Sequence, residues 1–316
     1  MDVTNFAGGA AYVGGRFVPM AEACIPVTDW GLIRSDAVYD VVHIYQNAFF
    51  RLADHLDRFA ASMAARRLKP AESRTEIEEI LHRCVALAGL ADAFVAMVAL
   101  RGRPRIAGSR RPEDCANHFV GYAIPWIDVV PKPVQERGVR LWIASTPRVA
   151  DAAVDPTVKN YQWNDLTSGV FEANDHGYDT TVLCDADGFV TEGPGFNIFV
   201  VRGGKIVTPD RGCLHGITRQ SVLELCAAKG IDAKVGPVPR AALEAADEIF
   251  ITSTAGGVIP ITRVGGAILA NDRPGPISTA LVDAYWKMHA EARHRTPVRP
   301  LELREERIAM AKGSNR

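Results

Sequence analysis

Four short stretches of this chain hold residue types that could do chemistry together. Lys159 follows Asp155-Pro156-Thr157-Val158 and precedes Asn160-Tyr161-Gln162-Trp163, an aromatic run just ahead of a helical pattern. Burial among such side chains favours a neutral amine, the nucleophilic form. Lys205 lies in a hairpin, and Lys229 and Lys234 flank Gly230, so these read as solvated; taken alone, Lys159 has that simpler reading too. Glu192 sits in Thr191-Glu192-Gly193-Pro194-Gly195-Phe196-Asn197, where two glycines and a proline bend the backbone after a strand. It is either a solvated hairpin residue or the counter-ion of a ligand's ring nitrogen. Leu214-His215-Gly216-Ile217-Thr218-Arg219 opens a helix whose free N–H groups at Ile217 and Thr218, with a hydroxyl and the positive end of the dipole, make an anion site. Ser253-Thr254-Ala255-Gly256-Gly257 follows an apolar strand and offers a second hydroxyl and flexible backbone.

The elements that position these residues follow from periodicity. Ala11-Tyr12-Val13, Gly14-Gly15 and Arg16-Phe17-Val18 read as a hairpin. A buried strand over 40–45 turns at Gln46-Asn47 and returns over 48–52. A helix over about 53–68 carries Leu56, Phe59, Ala60 and Met63 on one face. A second begins at Ser73, with Glu76 completing a capping box, and ends at Gly89. Strands over 94–100 and 118–124 flank an Arg- and Gly-rich loop. The proline-rich stretch from Pro125 reads as an interdomain linker, 125–134, between a small domain (1–124) and a larger one (135–316). In the second part, strands are expected over 139–145, 180–185, 189–192, 197–201, 205–208 and 248–252. Helices interleave near 162–174, 218–229 and 277–293. The fold class is α+β, with mixed helices and sheets. The charged tail after Pro297 is expected to be partly disordered.

Composition narrows the function classes. The 316 residues are 47% apolar and 23% charged, with a net charge of -1, so a core can be buried and no basic excess for nucleic acid is present. Eight histidines and six cysteines (Cys24, Cys84, Cys115, Cys184, Cys213, Cys226) form no cluster at ligand spacing, so no metal is expected and the thiols read as structural. The start, Met1 to Gly9, has no secretory pattern, and no stretch approaches a membrane span. A cytoplasmic setting fits.

In this order, the stretches resemble the class IV aminotransferases, from about Ile25 to Trp286, including Phe50-Arg51-Leu52 before Asp54-His55-Leu56-Asp57-Arg58. The resemblance implies a fold type IV enzyme with a small α/β domain, a larger pseudo-barrel domain and pyridoxal 5'-phosphate (PLP) as cofactor. It implies that Lys159 bonds to the cofactor and shuttles the substrate's proton. Glu192 then holds the pyridine nitrogen protonated. Arg51, Leu214, Ile217, Thr218, Ser253 and Thr254 anchor the cofactor, Arg51 as the phosphate-contacting arginine.

A closer likeness is to the (R)-selective amine transaminases, carried by Arg34-Ser35-Asp36 with Tyr39-Asp40-Val41-Val42, by Asp155 to Trp163, by Glu192 to Asn197 and by Thr254 to Gly257. It implies ping-pong transfer between a primary amine and a keto acid such as pyruvate, in a homodimer with its active sites at the interface. Relatives acting on branched-chain amino acids place an arginine near the start of the 94–100 strand; the matching position is Ala96, flanked by Phe94, Val95 and Met97. The subgroup binds the acceptor carboxylate with a mobile loop arginine, for which Arg105, then Arg103, is the candidate. Substrate contacts are expected from Arg34, Tyr39, Val41, Phe94, Ala96, Arg105, Trp163, Thr254 and Ala255. Arg34, His215 and Asn164 depart from the subgroup's usual histidine, proline and glycine; His215 reads as a core or supporting histidine. The alternatives are a branched-chain or D-amino-acid aminotransferase and, from another class, a PLP lyase such as aminodeoxychorismate lyase.

Overall fold

A computed structural model of the chain describes residue 6 and residues 8–301. The stretch read as free of a secretory pattern lies mostly outside them, as does the tail from 302 onward. The first part gives β1 (Ala10–Val13), β2 (Arg16–Pro19), α1 (Trp30–Ile33), β3 (Ala37–Tyr45), β4 (Ala48–Phe50), α2 (Leu52–Ala65), α3 (Arg74–Ala88), β5 (Ala93–Leu100) and β6 (His118–Pro125). The second gives α4 (Lys132–Arg137), β7 (Val139–Ile143), α5 (Asn164–Asp175), β8 (Thr180–Val182), β9 (Asn197–Arg202), β10 (Lys205–Thr208), α6 (Ile217–Lys229), β11 (Ala233–Val235), α7 (Arg240–Glu244), β12 (Glu248–Ser253), β13 (Gly257–Val264), β14 (Ala267–Ile268), α8 (Pro276–Met288) and β15 (Arg295–Pro297).

Two sheets result. The first runs β15-β4-β3-β5-β6-β1-β2 and is antiparallel throughout. Its hairpins are set by residues in the left-handed region: Gly14-Gly15 between β1 and β2, and Gln46 (φ 48) with Asn47 (φ 58) between β3 and β4. One face packs Val42, Val95, Met97 and Phe119 against Leu56, Phe59, Ile77 and Leu81 of α2 and α3. Helix α3 carries the expected capping box, and Gly89 closes it at φ 66. The opposite face, with Tyr39, Val41, Phe94 and Ala96, is free of those helices.

The second sheet runs β11-β10-β9-β12-β13-β7-β8, with β14 on β13, and mixes parallel and antiparallel pairs. Strand β12 is buried at every position: Ile249 and Ile251 join one core, while Phe250 faces α6 and α8 in another. A strand covered on both faces reads as a continuous apolar run.

Several expectations shift. The stretch 189–192 forms isolated bridges, Cys184 to Val190 and Phe189 to Pro239, because Leu183 accepts from the Thr191 N–H yet donates to the Glu192 carbonyl, a one-residue register shift that interrupts the ladder. Helix α4 begins at Lys132, inside the expected linker, and β15 pairs with β4 of the first sheet although it belongs to the stretch assigned to the larger domain. The six cysteines are free, and five are buried. Among the described residues no helix is long and apolar enough to cross a membrane.

Candidate active site

A cavity of about 320 Å³ lies between the free face of the first sheet and the loops of the second. On β3, strand β4 reaches only Ile44 and Tyr45, so the earlier half of β3 has an open side, and the Lys159 segment fills it. The Tyr39 N–H donates to the Lys159 carbonyl at 3.0 Å, Val38 bridges Asn160, and the Lys159 N–H donates to Ser62 Oγ at 3.2 Å. Lys159 Nζ lies 4.5 Å from the centroid of the Tyr39 ring, on which Tyr161 stacks at 4.3 Å. One bond to β3, one to Ser62 of α2 and a stacked ring thus hold a half-buried lysine at the cavity wall.

Glu192 lines the same cavity and is buried. Its Oε2 accepts the Leu214 N–H at 2.9 Å and its Oε1 accepts from Arg148 Nη2 at 3.1 Å. Burial pushes its carboxyl above the usual range, against the pull of Arg148, the Leu214 N–H and Lys159. Gly193 is required next to it, because a Cβ there would sit 2.2 Å from the Phe196 ring and 2.4 Å from the Thr181 carbonyl.

The anion site forms where α6 starts. Gly216 is its N-cap and brings no side-chain cap, so the N–H groups of the first turn are left to a ligand. A Cβ at Gly216 would lie 2.1 Å from Asn197 Oδ1, and Asn197 is fixed by donating Nδ2 to the Leu214 carbonyl at 2.8 Å. Arg58 also lines the cavity. It grips Asp40 with both edges, Nε to Oδ2 at 2.7 Å and Nη2 to Oδ1 at 2.8 Å, and donates Nη1 to the His215 carbonyl at 3.1 Å. Burial alone would raise the Asp40 carboxyl, yet Arg58 and the His55 imidazole at 2.8 Å outweigh it and hold it well below the usual range. Thr252, the register partner of Asn197, lines the cavity with a buried Oγ1 that has no hydrogen-bond partner among the described residues.

Of the residues expected from the sequence, Lys159, Glu192, Leu214, Ile217, Thr218, Ser253 and Thr254 line this cavity, as do Tyr39, Val41, Phe94, Trp163 and Ala255. Others do not. Arg51 donates to Ser221 Oγ at 3.0 Å, to both oxygens of Glu224 at 2.8 and 3.0 Å, and to Asp54, so its guanidinium is consumed in clamping α2 to α6. Arg58, further along α2, lines the cavity instead. Arg34 is exposed and covers the Trp30 ring at 3.3 Å. Arg105 and Arg103 are exposed in the loop after β5, away from the cavity of their own chain. Ala96 shares the face of β5 with Phe94 but is 1% exposed between its register partners Val41 and Tyr122. His215 is exposed, and only its carbonyl serves the site. Ser253 spends its hydroxyl on the Gly195 carbonyl at 2.8 Å and shapes the turn.

Arg148, Asn197 and Thr252 belong to the cavity without having been expected. Nothing in the periodicity marks Arg148, which lies in an irregular loop; Arg58 closes the same stretch, Phe50 to Arg58, in which Arg51 stands. Ile127 and Val129 enter the cavity from the stretch read as a linker, where the Val129 N–H donates to the Ala255 carbonyl at 2.6 Å.

These donors suit a phosphate-bearing ligand: bare helix N–H groups, an arginine already oriented by a carboxylate, and an orphaned hydroxyl line one cavity. An amine and a buried carboxylate in the same cavity suit the rest of PLP. The comparisons agree. The model of the family described as amino-transferase class IV matches residues 37–264. A putative branched-chain-amino-acid aminotransferase of Methanocaldococcus jannaschii is 30% identical over 277 residues, 87% of this chain and 94% of that protein. The branched-chain-amino-acid aminotransferase of Pseudomonas aeruginosa is 28% identical, covering 92% of this chain and 98% of its own. Among solved structures, the T.th. branched-chain amino acid aminotransferase complexed with N-(5'-phosphopyridoxyl)-L-glutamate superposes with a TM-score of 0.84 at 26% identity, over 92% of this chain and 99% of that one. The family match spans well over half the sequence, and the chain belongs to the class IV aminotransferases, enzymes that use pyridoxal 5'-phosphate.

Proposed function

We propose that this enzyme moves an amino group between a primary amine, of R configuration, and a keto acid such as pyruvate in a ping-pong cycle. One observation carries the choice of an uncharged donor. The substrate-facing wall is built from Tyr39, Val41, Phe94, Ile127, Val129 and Trp163, and among the described residues both arginines that line the cavity are already paired. Arg58 is held by Asp40, and Arg148 by Asp165 and Glu192. A wall without a spare cation favours an apolar substituent over a carboxylate. R-selectivity rests on the likeness of the Tyr39, Lys159 and Glu192 segments to that subgroup.

In this reading Lys159 would bond to the cofactor and carry the substrate's proton on Nζ, with the Tyr39 ring limiting where the amine can swing. Glu192 would pair with the ring nitrogen. The N–H groups of Ile217 and Thr218, the hydroxyls of Thr218 and Thr254, and Arg58 would hold the phosphate. Bound PLP supplies an electron-withdrawing ring that eases loss of a proton from the amine-bearing carbon. The family's relatives named for branched-chain amino acids favour a second reading, an aminotransferase for those substrates with the carboxylate held by other groups.

A panel of primary amines and branched-chain amino acids, both enantiomers, with pyruvate and 2-oxoglutarate separates the two. Bleaching of the cofactor band near about 400–420 nm by R-amines, faster than by L-leucine or L-valine, supports the first reading. Turnover of the amino acids alone supports the second. We also propose a homodimer, supported by the exposed Val27, Leu32, Ile33 and Ile106 near the loop after β5, and a cytoplasmic setting, consistent with six free thiols.

A further inference from the structure

Of the four charged residues that line the cavity among the described residues, Arg58, Arg148, Lys159 and Glu192, the assigned roles leave Arg148 unused. Arg148 follows β7 in an irregular loop, and its side chain is only 9% exposed. Its backbone N–H donates to the Cys184 carbonyl at 2.8 Å, in the hairpin that leads to Glu192. Its Nη1 donates to Asp165 Oδ2 at 2.6 Å, and the next residue, Val149, donates its N–H to the same oxygen at 2.8 Å. Its Nη2 donates to Glu192 Oε1 at 3.1 Å. Asp165 sits in the first turn of α5, the helix that follows Lys159, and its other oxygen accepts the Leu166 N–H at 2.8 Å. The guanidinium therefore ties the helix after the lysine to the carboxylate across the cavity.

The charge count gives this tie a purpose. A guanidinium paired with Glu192 alone would cancel the carboxylate's charge and leave it little to offer a ligand. Here Arg148 is shared between two carboxylates, and Asp165 holds it at the shorter distance. The three groups, with Glu192 buried and Arg148 and Asp165 half-buried, carry a formal charge of minus one. That is the complement of a protonated ring nitrogen. Burial works the other way, since an isolated carboxylate so enclosed would take up a proton and turn its charge off. Arg148 is the charged group in contact with Glu192 that opposes this.

We propose that Arg148 is a positioning residue that keeps the Glu192 carboxylate charged and aimed into the cavity, with Asp165 fixing Arg148 in turn. The inference rests on the reading of Glu192 as the partner of the ring nitrogen. It gives Arg148 no contact with substrate or cofactor, so its effects must pass through Glu192.

A double-mutant cycle isolates that route. Arg148→Met keeps most of the side-chain volume and removes the charge. It is made in the wild type and beside Glu192→Gln, and each protein is measured for PLP dissociation constant, for the pH profile of kcat and for thermal midpoint. In the wild-type background R148M weakens PLP binding tenfold or more. It also moves the acidic limb of kcat up by at least one pH unit, because activity is lost as pH falls through the Glu192 pKa and that pKa has risen. In the E192Q background the same change alters PLP affinity less than twofold. Arg148→Lys, which keeps the charge without the two-edged geometry, shifts the limb by an intermediate amount and serves as the test if R148M does not fold. Equal losses of affinity in both backgrounds, or an unmoved acidic limb, overturn the inference and leave Arg148 a structural residue. If E192Q itself leaves PLP affinity and the pH profile as in the wild type, the role of Glu192 fails and this inference with it. An effect of E192Q without one of R148M overturns this inference alone.

Discussion

Acidification should unfold this enzyme from one identifiable place. His43 of β3 and His289, just past α8, meet Nε2 to Nε2 at 2.8 Å among Phe50, Trp126 and Trp286. The His289 Nδ1 lies 3.1 Å from the Tyr285 carbonyl, which can only accept. Neutral His289 therefore carries its proton on Nδ1, presents a bare Nε2, and receives the His43 N–H. A second proton on His289 sets two N–H groups against each other. Burial, partly offset by the carbonyls of Tyr285 and Trp286, lowers its pKa from 6.5 to about 4. The folded pKa lies below the unfolded one, so the stabilisation is complete above about pH 6.5 and lost as pH falls toward 4. At about 1.4 kcal/mol per pH unit, His289 alone removes about 2 kcal/mol between pH 7 and pH 5. Burial and the charge of its neighbour also push His43 well down, which adds in the same direction. Urea midpoints at pH 7, 6 and 5 measure the loss. The pair His43→Leu with His289→Phe should be less stable at pH 7 and should reduce the pH-dependent loss by about that amount. A wild type that loses less than about 0.5 kcal/mol over this range, or a double variant that keeps the full slope, would refute the argument.

Other substitutions have equally definite outcomes. Arg58→Ala raises the PLP dissociation constant about tenfold or more, a charge-assisted contact of roughly 1.4 kcal/mol or above, measured by equilibrium dialysis. Arg51→Ala leaves that constant within about threefold and instead lowers the thermal midpoint, since it opens the clamp between α2 and α6. Lys159→Ala still binds PLP through the helix N-terminus but loses turnover, and substantial activity in it would remove Lys159 from its role. Gly216→Ala forces Asn197 away from the Leu214 carbonyl and weakens PLP binding by about an order of magnitude, as fluorescence titration of the apoprotein would show.

The parts legible in the sequence are those whose causes are local. A Gly-Gly pair sets the first hairpin, Ser73 with Glu76 starts α3, and Gly89 ends it, because each acts on backbone within a turn of itself. The Lys159, Glu192 and Thr218 stretches were found as motifs, and the fold brings all three to one cavity. What failed depended on partners far along the chain. Choosing Arg58 over Arg51 required knowing that Glu224 waits 173 residues after Arg51 to occupy it, while Asp40 holds Arg58 at the cavity. On β5 the alternation does bring Phe94 and Ala96 to one face, but which of the two meets open space depends on the bulk of Tyr122 beside Ala96. Strand β13 is not among the expected strands, and its Pro260 is accommodated because it pairs with Phe250 of β12 at a position before the β7 register, which begins at Ile261.

Strand β15 closes the first sheet from the far end of the described chain. It covers the outer side of β4 from Phe50 to Ala48, the Arg51 N–H donates to the His294 carbonyl at 2.8 Å, and the Val298 N–H donates to the Asn47 carbonyl at 3.0 Å. The sheet whose other face roofs the cavity is thus finished only by residues that emerge from the ribosome long after its other strands. Until then the apolar strand Ala48–Phe50 is a bare edge, the kind of surface that recruits foreign strands. A nascent chain of this enzyme would be most exposed to misassembly in that interval. Truncations that stop short of Arg295 would leave the same edge open permanently, well away from any residue that touches the cofactor.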